Sequence, residues 1–255
     1  MYAITMKRGI LLAAFGSGSS QGESTLRRFD VQVRKAFPDV SVRWAFTSML
    51  MRERLASERK KSDSVHKALK KMAFEKFTHV AVQPVHVIPG LEYGDIVSDA
   101  DELRADGTFA SLVVGAPLLT ESQASVDRAA RALLAELPSG RAPGEPVLFM
   151  GHGSRHAAES RYEALAAAVR ERDPLVLMGT LNGTIRLEHI VEHLRLAVVG
   201  RHTLEDMAGD SEHSWRSRLE AEGIACVPVL RGMMEYQGFM DIWVDNLAQA
   251  MKGWG

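Results

Sequence analysis

A single cysteine, Cys226, occurs among the 255 residues. An intramolecular disulfide is therefore excluded, and so is a zinc site built on several thiolates. Cys226 lies in the apolar run Ile224-Ala225-Cys226-Val227, where a buried structural thiol is expected. Charge of one sign is also lacking, because 31 Lys and Arg face 32 Asp and Glu for a net charge of -1. No cationic field invites nucleic acid or an anionic membrane surface. No stretch approaches the ~20 apolar residues of a membrane span. Lys7-Arg8 followed by the apolar residues 10–15 imitates a secretory leader. That run is shorter than the usual core of about 7–15 residues, and it ends in Gly16-Ser17-Gly18. It reads as a first buried strand, and the cytoplasm is the expected location.

What is present is alternation. Short apolar runs alternate with longer amphipathic segments, the signature of parallel β-sheets with crossover helices. Strands are expected at 9–15, 41–46, 78–85 and 109–115, then at 146–150, 175–179, 195–199 and 224–230. Helices are expected at 24–37, 63–74, 122–137, 157–171, 187–193, 214–222 and 240–251. The two halves resemble each other. ILLAAFGSGS (10–19) and VLFMGHGS (147–154) both end a strand in a Gly-x-Gly-Ser turn, which makes Ser17 and His152 equivalent. VAVQPVH (80–86) and LAVVGRH (196–202) each carry a histidine at the carboxyl end, His86 and His202. Pro138-Ser139-Gly140-Arg141-Ala142-Pro143-Gly144 reads as the linker. The expected fold is α/β, with two similar Rossmann-like lobes, 1–138 and 146–255, each a central parallel sheet flanked by helices. The last helix has the option of packing back on the first lobe. Ligands of such sheets bind beyond the carboxyl ends of the strands, so lobes facing one another would set Ser17, His86, His152 and His202 around one cleft.

The turn at Ser17, Gly18 and Ser19 offers backbone N–H groups to an anion. Gln21 stands where a dinucleotide fingerprint has its third glycine, and the Lys-Ser/Thr pair of a nucleotide P-loop is missing. In Gly151-His152-Gly153-Ser154 the glycines let a ligand approach the imidazole, which can donate to a divalent metal and accept a proton. Three other features read as ordinary structure. His189-Ile190-Val191-Glu192-His193 matches an inverted zincin pattern, but on a helix it is a polar face without an identifiable third ligand. Asp206-Met207-Ala208-Gly209-Asp210 reads as a helix-capping turn, and residues 52–61 as a solvated helical face or loop.

Together the strand-end segments resemble the CbiK-type sirohydrochlorin cobalt chelatases, within the wider class of two-lobed metal-ion chelatases. The matching pieces are LLAAFGSGS (11–19), AFTS (45–48), VQPVHVIPGLEY (82–93), GHGS (151–154), the GT-x-x-G of 179–183, and His202 preceding DMAGD (206–210), followed by Ser214-Trp215. The resemblance runs from about residue 7 to the end. It implies cobalt(II), with iron(II) or nickel(II) as alternatives, inserted into sirohydrochlorin without an organic cofactor. It further implies His152 and His202 as metal ligands and proton acceptors, with His86 and Glu92 lining the tetrapyrrole pocket beside Ser17, Gly18 and Ser19. The third metal position, a glutamate in the family pattern GTVEG, is Asn182 here. The family's GDHA reads Gly200-Arg201-His202-Thr203, and its GLGE reads Gly232-Met233-Met234-Glu235. An amide oxygen cannot accept a proton near neutral pH. A non-catalytic tetrapyrrole or haem binder, or a metal carrier on the same scaffold, is therefore the alternative reading. Assembly into a homo-oligomer is left open.

Overall fold

The computed structural model describes residues 6–60, 62–194 and 212–254. The chain divides into two compact units, Met1–Leu119 with Phe239–Gly255, and Thr120–Gly238.

The first unit holds β1 (Arg8–Ala14), α1 (Ser20–Ala36), β2 (Ser41–Phe46), α2 (Met49–Ser57), α3 (Val65–Phe74), β3 (His79–Pro84), α4 (Leu91–Ala105) and β4 (Ser111–Val114). Its sheet is parallel throughout in the order β2-β1-β3-β4. Leu11 pairs with Arg43 on one side and Val82 on the other, and Ile10 through Ala14 are all buried. A strand covered on both faces reads as an unbroken apolar run, which is why residues 10–15 resembled a leader. Leu11 and Ala13 join Leu69, Met72, Ile96, Ala100 and Leu103 of α3 and α4 in one cluster. Elsewhere in the unit Phe29 of α1 meets Trp44 and Trp243 edge to face, at centroid distances of 6.4 and 6.2 Å.

The second unit holds α5 (Gln123–Leu134), β5 (Val147–Gly151), a 3-10 turn (Ala157–Glu159), α6 (Ser160–Arg172), β6 (Val176–Thr180), α7 (Leu187–Leu194), α8 (Trp215–Ala221) and a second 3-10 turn (Met233–Glu235). Among the described residues its sheet is the parallel pair β5-β6. Leu148 packs with Leu187, Ile190, Trp215, Leu219 and Ile224. The closing helix α9 (Gln237–Ala250) crosses back, and from Phe239 onward belongs to the first unit.

Three expectations change. The division falls between Leu119 and Thr120 rather than in the Gly/Pro segment, and α5 sits in the second unit against α6. Arg141 explains why that segment is no free linker: its Nε donates to the Glu145 carbonyl at 2.7 Å and its Nη1 to Asp173 Oδ2 at 2.6 Å. Among the described residues no strand is formed at 224–230. Val227, Val229 and Leu230 are exposed, and Cys226 is only half-buried against the Leu148 cluster. Helices α2 and α4 were not anticipated as such. The strand expected at 195–199 lies outside the described residues.

Candidate active site

In a sheet ordered β2-β1-β3-β4, the crossovers from β1 run one way to β2 while β3 lies on the other side. The carboxyl ends of β1 and β3 therefore flank the point where ligands of open α/β sheets bind. The Ser17–Ser19 turn leaves β1, and His86 leaves β3. Backbone bonds hold these exits together: Val85 N–H donates to Ala13 O at 2.7 Å and Thr47 N–H to Ala14 O at 2.8 Å.

The turn after β1 is largely self-satisfied. Ser19 caps α1, its Oγ accepting from Gly22 N–H at 3.1 Å, so the helix starts at Ser20, four residues earlier than expected. Ser17 Oγ accepts from Ser19 N–H at 3.3 Å. Arg54, from α2, lays its guanidinium against Gly18 and donates through Nη2 to the Gly18 carbonyl at 3.3 Å. A cation thus accompanies the turn, which sequence reading missed because residues 52–61 looked like plain solvated surface. Apolar side chains stand open at the same strand ends. Ser48 N–H donates to Phe15 O at 3.4 Å, bringing Phe15 beside the start of α2. Phe15 is 51%, Met49 62%, Leu50 74% and, at the start of α4, Leu91 70% exposed.

His86 is fixed through its carbonyl, which accepts from Leu118 N–H at 3.0 Å and Trp243 Nε1 at 3.3 Å. Both ring nitrogens are buried and have no hydrogen-bond partner among the described residues. Burial holds its pKa below the ordinary histidine value, with the Glu92 carboxylate pulling the other way. Glu92 lies in the first turn of α4.

In the second unit, β5 and β6 run side by side with Gly151 paired to Thr180. The two turns leaving them stay in contact. Leu181 N–H donates to Gly151 O at 3.1 Å, and Asn182 N–H to His152 O at 2.9 Å. The side chains of His152 and Asn182 are exposed. Gly153 has φ +72°, and a Cβ there would come within 2.6 Å of the Gly183 nitrogen; only glycine tolerates both. The equivalent turn of the first unit differs, since its positive φ (+105°) falls at Gly16, ahead of Ser17. Beneath the paired turns lies Glu159, 5% exposed. Its Oε2 accepts from Ser154 N–H at 2.7 Å, and its Oε1 from Thr180 Oγ1 at 3.0 Å and Thr184 N–H at 3.2 Å. Tyr162, packed against Gly151, is pushed up to about 12, mainly by burial and further by Glu159.

The family model described as "Cobalt chelatase (CbiK)" matches residues 8–252. The chain belongs to the CbiK cobalt chelatase family. It is 60% identical over 258 residues to the sirohydrochlorin cobaltochelatase CbiKC of Nitratidesulfovibrio vulgaris, covering 96% of this chain and 91% of that one. The sirohydrochlorin cobaltochelatase of Salmonella typhimurium is 30% identical over 261 residues, covering 97% of each. Among solved structures, SirB of Bacillus subtilis with Fe3+ superposes with a TM-score of 0.68 at 12% identity, over 97% of this chain and 96% of that one. The cobalt complex of SirB from Bacillus subtilis subspecies spizizenii gives 0.62 at 13% identity over 98% of each. At such low identities the likeness establishes the α/β fold of parallel sheets flanked by helices.

Of the CbiK-type residues expected from sequence, the structure places Ser17, Gly18, Ser19, His86 and Glu92 near the carboxyl ends of β1 and β3. It places His152 and Asn182 on adjoining turns beyond β5 and β6. His202 lies outside the described residues. Among the described residues no three His, Cys, Asp or Glu side chains gather around one point. On the two adjoining turns the His152 and Asn182 side chains are both exposed. His189 and Glu188 stand on the exposed side of α7 while Leu187 and Ile190 are buried, the polar face expected of them. Glu188 is bridged to Arg218 at 2.5 Å.

Proposed function

We propose that this protein inserts cobalt(II) into sirohydrochlorin, with iron(II) and nickel(II) as alternative metal substrates. The observation that carries this is the Gly-His-Gly-Ser turn at the end of β5, its His152 exposed and its backbone braced against the turn after β6, in a chain 60% identical to a named sirohydrochlorin cobaltochelatase. Insertion requires the ion to shed water and the macrocycle to lose two pyrrole N–H protons. In this reading His152 and His202 ligate the arriving ion, and each imidazole nitrogen, once it has released the ion to the macrocycle, takes one of the two protons. Asn182 adds an oxygen donor that brings no charge and takes no proton, so proton removal falls to the imidazoles. Ser17, Gly18, Ser19, His86 and Glu92 contact the macrocycle. Arg54 suits its carboxylates, and the open side chains of Phe15, Met49, Leu50 and Leu91 suit its flat apolar face.

We also propose that the protein acts in the cytoplasm on a free tetrapyrrole, without organic cofactor, nucleic acid or membrane. Among the described residues no helix is long and apolar enough to cross a membrane. The decisive experiment mixes purified protein, sirohydrochlorin and cobalt(II) anaerobically and follows the absorption change against the uncatalysed rate. A protein that accelerates nothing but binds the finished metallo-tetrapyrrole tightly is a carrier, and the chelatase reading is then wrong.

A further inference from the structure

Buried carboxylates are rare unless their oxygens are fully engaged, and Glu159 engages donors from two different turns. Oε2 holds the turn that carries His152, through Ser154 N–H. Oε1 holds the turn that carries Asn182, through Thr180 Oγ1 and Thr184 N–H. A Cβ on Gly183 would collide with Oε1, so the second turn lies directly on the carboxylate. The backbone bond from Asn182 to His152 closes the arrangement on its outer side. The turns are thereby joined in two ways, directly through backbone bonds and indirectly through Glu159.

We infer that Glu159 is a positioning residue for metal capture, setting the separation of His152 and Asn182 without touching the ion. The inference rests on the chelatase reading only for the identity of the metal. Its chemistry is specific to a carboxylate. An amide in the same place offers one acceptor oxygen and one N–H2 group. In either orientation Glu159→Gln sets that N–H2 against a backbone donor: Ser154 N–H in one and Thr184 N–H in the other, where the Thr180 hydroxyl can turn to accept but the backbone N–H cannot. One turn therefore loses its backbone tether to residue 159 whichever way the amide lies. Glu159→Asp keeps the charge but is a methylene shorter, so it cannot reach both turns.

The test is a cobalt(II) titration of the metal-free protein, followed by visible absorption or calorimetry, on wild type, Glu159→Gln, Glu159→Asp and His152→Ala. Thermal melting of each gives the folded fraction. Groups that orient a metal's ligands typically change affinity by ~10–100-fold when altered. Both Glu159 variants are expected to lose affinity in that range while folded. In insertion assays the loss is expected in the KM for cobalt, with the KM for sirohydrochlorin unchanged. A folded Glu159→Gln that binds cobalt within threefold of wild type overturns the inference. So does a loss that merely tracks the unfolded fraction. His152-dependent cobalt binding in a wild type that inserts no metal would sink the chelatase reading and leave this one standing. Cobalt binding indifferent to both His152→Ala and Glu159→Gln overturns both.

Discussion

The backbone N–H of Asn182 donates to the carbonyl oxygen of His152 at 2.9 Å, so the two residues proposed as neighbouring metal donors are joined through main chain, not side chain. Their side chains remain free to vary without disturbing the connection. That separation of scaffold from chemistry makes substitution at either position interpretable.

His152→Ala is expected to abolish most cobalt insertion and leave the fold in place. The imidazole is exposed, and exposed substitutions usually shift stability by less than about 0.5 kcal/mol. Insertion rate and melting temperature measured together check this. A folded variant inserting metal at the wild-type rate removes His152 from the mechanism. The same experiment applies to His202→Ala.

Asn182→Glu is expected to tighten cobalt binding and raise the insertion rate. The two side chains differ by one methylene, and the change supplies a charged oxygen and a proton acceptor. Asn182 is exposed, so the extra carboxylate is not forced into the core. If the wild type is already fast and the variant no faster, another carboxylate serves, and Glu92 is the first to test.

Phe15→Ser and Leu50→Ser are each expected to weaken sirohydrochlorin binding, raising its KM about tenfold, while leaving cobalt affinity and stability unchanged. Fully covering such a side chain is worth about 1.5–3 kcal/mol, and both stand open in the free protein. Fluorescence titration with sirohydrochlorin gives the answer. Unchanged binding in the double variant assigns this apolar edge to something other than the macrocycle.

His86 imposes a direction on acid stability. Burial keeps its folded-state pKa below the ordinary value of about 6.5. As the pH falls, the unfolded chain therefore takes up a proton there before the folded chain does. The associated stability is fully present above about pH 6.5 and is lost as the pH drops toward the lowered value. Urea midpoints between about pH 5 and 8 are expected to decline on the acid side, and less steeply in His86→Gln, which has no proton to gain. Parallel profiles for the two proteins would show that the imidazole is hydrated rather than buried.

Legibility in the sequence followed burial. β1 and β3 were found because both faces are covered, and apolar runs report that directly. α4 escaped because its inner face is Ile96, Ala100 and Leu103, with a small alanine at the centre and Gly94 and several aspartates around it. Residues 224–230 misled for the opposite reason, being apolar in composition but open to solvent over Val227, Val229 and Leu230. The Gly/Pro segment at 138–144 announced a boundary because composition does not reveal the reach of one arginine to Asp173. At the site, glycines flanking a histidine at a strand end singled out His152, and the structure sets that residue in the open beyond β5. Glu159 gave none, since a glutamate early in a helix reads as a first-turn charge. Two of its three partners lie on a strand and a turn more than twenty residues on.

The return of α9 to the first unit has a consequence for how the chain is made. Trp243, Phe239 and Leu247 are buried there, and Asn246 holds the Ala116 and Pro117 carbonyls at 3.2 and 2.9 Å. These residues leave the ribosome only after the whole of Thr120–Gly238. Domains usually form in order of synthesis from the N-terminal end, but here the unit that begins ahead of Thr120 is completed only after Gly238. A nascent chain must leave the apolar surface around Phe29, which Trp243 meets at 6.2 Å, uncovered while its second unit is translated, so its yield in a cell should depend on chaperones that shield that surface until α9 follows.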